Sequence, residues 1–506
     1  MVWDVMVAAA FVVVSVAVLA CFSPKHVLTW LKKRTTLFPQ TWAFAVTGLS
    51  CFQRHVPKVS RESHGAPLAL RLYGKSARIK LHVFLELFTN ARGPSPNKRD
   101  LRLDFFRGLA LICMFIDHTP GNNFAWFTLQ AVMCSDAAEI FVLISGFTAG
   151  TVYSRTLERG GFLAAGIRVY HRVWQLYVAH IVLFVTLMAT ISYTSHLLTS
   201  SRYIDYFDGT SFFLQEPGLA LVKVLLLQFQ PAFIDILPLY IACLGFLPLV
   251  LAGFRFRPRT VIFASLSLWV AVQFDGWFAP PGSGWGFNPF AWQALFYLAA
   301  WLGWRSNRAE GFWLNDRWPF YLAAGLVVAG FLIRFNWTLQ GFYGPITTPI
   351  PGEPLWQFMS KTNLGLIRFV NVLALALLVG HLIHPQARFF DSRVARPFVL
   401  CGRHSLHIFC LSAVLAVFGF VVLNEVFGRW PMQLAVSATG IAIMVSFAAL
   451  LEWFAAAQTA HGGRSSGSRG QVGMDLARSP TLIEGQTASA FSIQTGYRHS
   501  SLRERQ

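Results

Sequence analysis

A series of long apolar runs dominates this chain between residues 103 and 455. The runs are 103–119, 136–153, 170–193, 236–254, 260–275, 289–304, 319–335, 365–384, 404–424 and 432–455. Since about 20 apolar residues of α-helix cross the hydrocarbon core of a bilayer, most of these runs are long enough to span it. The chain is 55% hydrophobic and 13% charged, which is too apolar for an ordinary soluble domain. We therefore predict an all-α, polytopic membrane bundle of about ten transmembrane helices.

The segments on either side of this bundle differ in character. Residues 1–99 hold an apolar run, Val5–Phe22, followed by a long basic stretch. This run could be one extra transmembrane helix or a signal-like segment, although it lacks the basic start and the small-residue cleavage site of a secretory signal. The basic stretch is interpreted as a poorly ordered extension or as read-through from an upstream start. Residues 458–506 are rich in Gly, Ser, Arg and Gln, which predicts a disordered cytoplasmic tail. The membrane domain is accordingly predicted at residues 100–457.

Charge is distributed unevenly among the connections between the runs. The formal net charge is +19, and the cations concentrate in alternate connections, such as FRFRPR at 254–259. The connection at 276–288 carries no charge. Because cytoplasmic loops carry the excess of Lys and Arg, the Arg107 end of the first run and both ends of the bundle are predicted to be cytoplasmic. This topology explains the basic charge without a nucleic-acid partner.

Arg107 and His118 are charged or titratable residues inside the first apolar run, with ten residues between them. Eleven helical steps return to within about 20° of the start and rise about 16 Å, so both side chains share one face. A charged group in hydrocarbon costs a few kcal/mol or more and therefore faces a polar interior. The pair predicts an intramembrane active site reached from one side. The alternative is an arginine at the membrane interface and a histidine satisfied by its neighbour Asp117.

A second group of acids begins the next run. Asp136 and Glu139 are three residues apart on one helical face, and Ser145-Gly146 allows another backbone to approach closely. Asp136 is explained equally well as a helix cap, with Glu139 in the first turn. The chain has seven cysteines but no Cys-x-x-Cys pair, so neither a disulfide framework nor a metal site is predicted.

Two stretches carry a resemblance to a known family. The sequence RDLRLDFFRGLALICMFIDHTPGN, followed by SDAAEIFVLISGFTAGTVY, resembles the OpgC-type proteins, which attach succinyl groups to osmoregulated periplasmic glucans. More broadly, it resembles the multi-pass acyltransferases that O-acylate surface sugars. The family's Arg–ten residues–His motif falls on Arg107 and His118. Its acidic signature falls on Glu139, Phe141, Ser145 and Gly146.

Two weaker features extend this resemblance across about residues 98–455. An arginine-rich cytoplasmic loop of the family falls on Arg168 and Arg172, which are separated by three residues here, where two are usual. The segment GRHSLHIFCLS, from Gly402, resembles a late Gly-x-x-Ser segment. The resemblance implies a bacterial inner-membrane acyltransferase that uses acyl-CoA, with succinyl-CoA expected, as co-substrate. No bound cofactor is implied.

The chemistry of acyl transfer suggests roles for these residues. Neutral imidazole suits removal of a sugar hydroxyl proton, so His118 is the predicted base. Asp117 or an acid from another helix, such as Glu139, would orient it. The arginines predicted to bind the donor phosphates are Arg107, Arg168 and Arg172. For the two loop arginines, a purely topological role is equally open.

Aromatic residues crowd the uncharged connection at 276–288. Trp277 and Trp285 are predicted to stack on the acceptor glucan, whereas most of the seventeen tryptophans are expected to form an interfacial belt. A transporter or flippase of glycans or small molecules is the alternative function, because transporters also bury ionisable residues. It predicts two related halves with paired discontinuous helices, and no internal repeat is evident in the sequence. An acyltransferase acting on another surface polysaccharide is also open.

Overall fold

The computed structural model describes residues 100–207, 209–231, 233–274, 285–306, 317–343, 353–385, 387–426 and 428–475. The helices of the bundle are α1 (Leu101–Asp117), α2 (Ala137–Leu198), α3 (Ile236–Phe256), α4 (Pro258–Phe274), α5 (Pro289–Ser306), α6 (Arg317–Tyr343), α7 (Leu366–Leu382), α8 (Arg396–Arg403), α9 (Ser405–Glu425) and α10 (Trp430–Asp475). Shorter helical turns lie at Asn123–Phe127, Leu129–Val132, Arg202–Tyr206, Thr210–Gln215, Pro217–Leu225, Glu353–Met359 and Arg388–Asp391. Within these ranges the chain forms no strand, which confirms the prediction of an all-helical fold.

Five of the described helices, α2, α3, α6, α9 and α10, are long and apolar enough to cross a membrane. The apolar helices α4 and α7 are shorter, at 17 residues each. Each predicted apolar run coincides with helix, but the number of spans is not confirmed, so about ten spans stays a prediction. The predicted segment 1–99 lies outside the described residues. A second compact unit begins at Phe454, and its described part is helical to Asp475, inside the predicted tail.

Helix α2 accommodates two predicted runs because it bends. It spans 62 residues, and Gly161 interrupts it with φ 75° and ψ −176°. Only glycine adopts such angles readily, since it has no Cβ. The segments before and after Gly161, 137–160 and 162–198, are called the first and second arms of α2. Arg168 in the second arm donates to the Thr156 hydroxyl in the first at 3.3 Å, so the arms lie side by side.

Glycines allow several pairs of helices to approach closely. Gly108 of α1 lies against the main-chain carbonyl of Phe398 in α8, and Gly402 of α8 lies against that of Asp104. Gly146 and Gly150 in the first arm of α2 lie against main-chain carbonyls of α5. The predicted close approach at Gly146 is therefore confirmed. Since helices in a bilayer associate largely through close packing of small residues, these contacts fix the spacing of α1, α2, α5 and α8.

We expect a single methyl group at one of these contacts to destabilise the bundle. In a Gly150→Ala variant the added Cβ would overlap the Ala300 main chain, and such overpacking costs about 1–3 kcal/mol. Gly325→Ala is the matched control, because Gly325 is exposed on α6 with nothing near its missing Cβ. Thermal unfolding of both variants in detergent should show a lower midpoint for Gly150→Ala only. Equal midpoints would show that the α2–α5 contact is not tight.

Candidate active site

A cavity of about 180 Å³ lies between α1, the two arms of α2, α3 and α9. Its polar lining consists of Arg107, Ser145, Thr148, Tyr153, Arg172, Tyr240 and Ser405, and the rest of the wall is mostly apolar. Two of the three arginines predicted to bind the donor, Arg107 and Arg172, therefore line the same cavity.

Arg107 is held in place by neighbours on both sides. Its side chain is buried, with 8% of the residue exposed. It donates to the Thr148 hydroxyl at 2.9 Å and pairs with the Asp104 carboxylate at 3.6 Å. Asp104 also faces Arg403 of α8 at 4.0 Å. The guanidinium is thus positioned on the cavity wall, where it can contact an anionic ligand.

The two loop arginines differ in position. Arg172 lines the cavity and donates to the Gln175 side chain at 3.0 Å. Arg168 is exposed and its guanidinium bonds Thr156 near the bend of α2. The geometry therefore groups Arg172 with Arg107 and leaves Arg168 off the cavity wall. The rotation of the second arm about its axis, which is set by the bend at Gly161, decides which of the two arginines faces the cavity.

His118 directly follows α1 and is half-buried. Its Nδ1 lies 2.6 Å from the main-chain oxygen of Met114. Because a carbonyl oxygen can only accept, Nδ1 carries the proton and Nε2 carries the lone pair. The Phe233 ring packs edge-on against the imidazole, with centroids 4.8 Å apart. This tautomer is the one that a general base at Nε2 requires.

Neither acid predicted to orient His118 bonds to it. Asp117 accepts from the Thr128 hydroxyl instead. Glu139 is fully buried and accepts from the Asp136 amide at 2.9 Å and from Arg368 Nε at 2.6 Å. The orienting acceptor is the Met114 carbonyl, which lies one turn earlier on the same helix. Neighbouring side chains on a helix point about 100° apart, so Asp117 faces away from the ring.

The acids at the start of α2 form an ion network with two cations that were not predicted. Asp136 contacts Arg368 at 3.0 Å and Lys361 at 2.8 Å, and Arg368 also pairs with Glu139. Asp136 and Glu139 form a reciprocal capping box as well, so the capping interpretation of this pair is confirmed. Arg368 is a charged residue in the first turn of an apolar helix, α7, which is the sequence feature that could have revealed it.

A short loop connects the surroundings of His118 to the cavity. Phe233 contacts His118, and Ile236 lines the cavity wall. Between them lies Asp235, an acid that was not predicted from the sequence. Burial raises the pKa of the Asp235 carboxyl from its ordinary 3.8 to about 6, against the opposing charge of Lys361.

The raised pKa of Asp235 predicts a pH-dependent stability. The folded protein binds this proton more tightly than the unfolded chain, so the free energy of unfolding falls as pH rises from about 4 through 6. The expected loss is about 3 kcal/mol, since one pKa unit corresponds to about 1.4 kcal/mol. An Asp235→Asn variant should lose less stability over this range, as measured by unfolding midpoints in detergent. The exposed Asp205→Asn is the matched control; equal slopes for both variants and the parent would contradict the prediction.

Of the two predicted acceptor residues, one lies in the part of the chain that the structure describes. Trp277 lies outside the described residues, and Trp285 is half-buried at the start of the segment leading to α5. Trp292 is fully buried and its indole donates to the Lys361 and Thr362 carbonyls at 3.0 and 3.1 Å. Trp292 is therefore part of the core that holds the Lys361 loop, and stacking of a sugar on Trp285 stays a prediction.

The family model described as OpgC protein matches residues 99–456, well over half of the chain. Neither a curated protein nor a solved structure matches this chain. The matched range contains every described residue of the cavity and of the His118 surroundings.

Proposed function

This chain belongs to the OpgC protein family, and from that premise we propose that it is an inner-membrane acyltransferase. It transfers an acyl group, with succinyl as the first candidate, from cytoplasmic acyl-CoA to hydroxyls of a periplasmic glucan. Family membership supports glucan-modifying acyl transfer in general. The observation that carries the proposal is the tautomer of His118, whose proton is on Nδ1 and which directly follows the helix of the cavity arginine Arg107.

The donor is assigned to the cavity. Arg107 and Arg172 lie together on its wall, and guanidinium groups match the geometry of the phosphates of CoA. The lining also includes Ile236, which adjoins the loop that contacts His118. An elongated thioester with its phosphates at the arginines would therefore extend toward the base.

The acceptor hydroxyl reacts at the other end of α1. Its oxygen attacks the thioester carbon while His118 Nε2 takes the hydroxyl proton. The Met114 carbonyl, which accepts from Nδ1, stabilises the imidazolium that forms. That imidazolium then gives its proton to the departing CoA thiolate. The products are an ester on the sugar and free CoA.

The donor assignment predicts different effects for the three arginines. We expect Arg172→Ala to weaken acyl-CoA binding by about 1.5–3 kcal/mol, roughly 10- to 150-fold, through loss of a charge-assisted contact. Arg107→Lys keeps the charge but loses the planar fork, so it should retain only part of the affinity. Arg168→Ala is the matched control and should bind within about twofold of the parent. Isothermal titration of the purified proteins with CoA measures all three.

If all three variants bind CoA like the parent, the arginines set topology only, and the donor is held elsewhere. The activity itself is tested by mass spectrometry of periplasmic glucans from cells with and without the protein. Purified protein supplied with succinyl-CoA and, separately, acetyl-CoA identifies the acyl group. A transporter or flippase would bind or move the glucan without releasing CoA, and that result would replace the acyltransferase proposal.

A further inference from the structure

His180, in the second arm of α2, is fully buried and has no hydrogen-bond partner at either ring nitrogen among the described residues. Nearly all buried polar groups in proteins are bonded, because an unpaired one lowers stability. A leucine would fill this position without that cost. An unpaired imidazole at this position therefore indicates that His180 binds a ligand rather than only filling space in the core.

The position of His180 relative to the cavity follows from helix geometry. Arg172 and Leu176 both line the cavity, and His180 is the next residue in the same four-residue spacing. Side chains four residues apart lie on one face of a helix. His180 is about 6 Å beyond Leu176 and about 12 Å beyond Arg172 along the arm. It therefore lies on the same stripe of the arm, beyond the residues that line the cavity.

The second arm runs in the same direction as α1. At the end of the bundle that contains the first residue of α9, Arg107 and Arg172 line the cavity together with that residue, Ser405. Toward the opposite end of α9, Thr119 after α1 contacts Gly419 of α9. The residues after the second arm also reach α9 there, since the Tyr203 hydroxyl donates to Glu425. Both helices therefore run from the first residue of α9 toward its last.

Parallel helices bring the two histidines to nearly the same depth. His118 lies about 16 Å beyond Arg107, and His180 lies about 12 Å beyond Arg172. Helix α3 runs in the opposite sense, and the Tyr170 hydroxyl donates to the Gly245 carbonyl. Ile236, nine residues before Gly245, therefore comes close to the level of His180. This is the end of the cavity that adjoins the loop in contact with His118.

We propose that His180 is the oxyanion donor of the acyl transfer, which deepens and rests on the proposed function. When the sugar hydroxyl oxygen attacks the thioester carbon, the carbonyl π electrons move onto its oxygen, and His118 takes the hydroxyl proton. The single N–H of neutral His180 donates to that oxyanion. The electrons return as the C–S bond breaks, and the thiolate leaves with the proton from His118. A buried donor that has no other acceptor among the described residues stabilises such a charge strongly.

The test uses the full-length protein in detergent with succinyl-CoA and periplasmic glucan. In His180→Leu we expect kcat to fall by about 10²–10³-fold, as for loss of one oxyanion donor. The KM for succinyl-CoA should stay within about threefold, and the melting temperature should equal or exceed that of the parent. His180→Gln keeps an N–H donor and should recover part of the rate. His196→Leu, at an exposed position on the same arm, is the matched control.

Each outcome decides between distinct conclusions. Parental kcat in His180→Leu would overturn the assignment, and so would a lower melting temperature that accompanies equal loss of activity in the Leu and Gln variants. A parent protein that transfers no acyl group would overturn the proposed function and, with it, the role of His180. An active parent, a slow but stable Leu variant and partial recovery with Gln would together support the oxyanion role.

Discussion

Replacing His118 by Ala should lower the rate of glucan acylation by about 10²-fold or more. The variant removes the proposed base but leaves Arg107 and Arg172 in the lining of the cavity. The affinity for CoA should therefore change little while kcat falls. Steady-state kinetics with varied succinyl-CoA separate the two parameters. His171→Ala is the matched control, because His171 is an exposed histidine in the same bundle.

Near-parental acylation by His118→Ala would make His118 a structural residue only. A loss of CoA binding equal to the loss of rate would place His118 in donor binding instead. The partner of Nδ1 is a main-chain carbonyl, so no side-chain substitution removes it. The tautomer should therefore persist in variants of Asp117 and Glu139.

Replacing Arg368 by Met should destabilise the protein by about 3–5 kcal/mol. The change removes the cation that lies between Asp136 and Glu139 and leaves a buried carboxylate without adequate compensation. Unfolding midpoints in detergent measure the effect. Arg388→Met is the matched control, because Arg388 is exposed and surface substitutions usually change stability by about 0.5 kcal/mol or less.

Combining Arg368→Met with Glu139→Gln distinguishes an ion network from simple packing. If the network is the cause, the double variant should be more stable than the sum of the single changes predicts. Equal stability of Arg368→Met and Arg388→Met would mean that the acids are neutralised by other groups.

Local patterns were enough to predict the helices and part of the site. The apolar runs coincide with the described helices, and the spacing of Arg107 and His118 along one helix is a property of that helix alone. The close approach at Gly146 was also evident from a small residue in an apolar run. These features depend on nearby residues, for which helix geometry supplies the distances.

The partners of the site residues depend on contacts across the fold. Arg368 and Glu139 are 229 residues apart in sequence, so no local spacing connects them. The orienting group of His118 is a main-chain carbonyl, which residue identity does not encode. Arg168 and Arg172 could not be told apart, because the bend at Gly161 sets which of them faces the cavity.

The placement of Arg107 and the proposed base along one helix has a consequence for substrate choice. Arg107 lies in α1 and His118 directly follows it, so about 16 Å of helix rise separates the two residues. At Gly108 and Gly402 the main chain of α1 lies directly against that of α8. Under the proposed function, the CoA part of the donor must match this separation, whereas the acyl group extends beyond the base. Selection of CoA and selection of the acyl group would then depend on different parts of the protein.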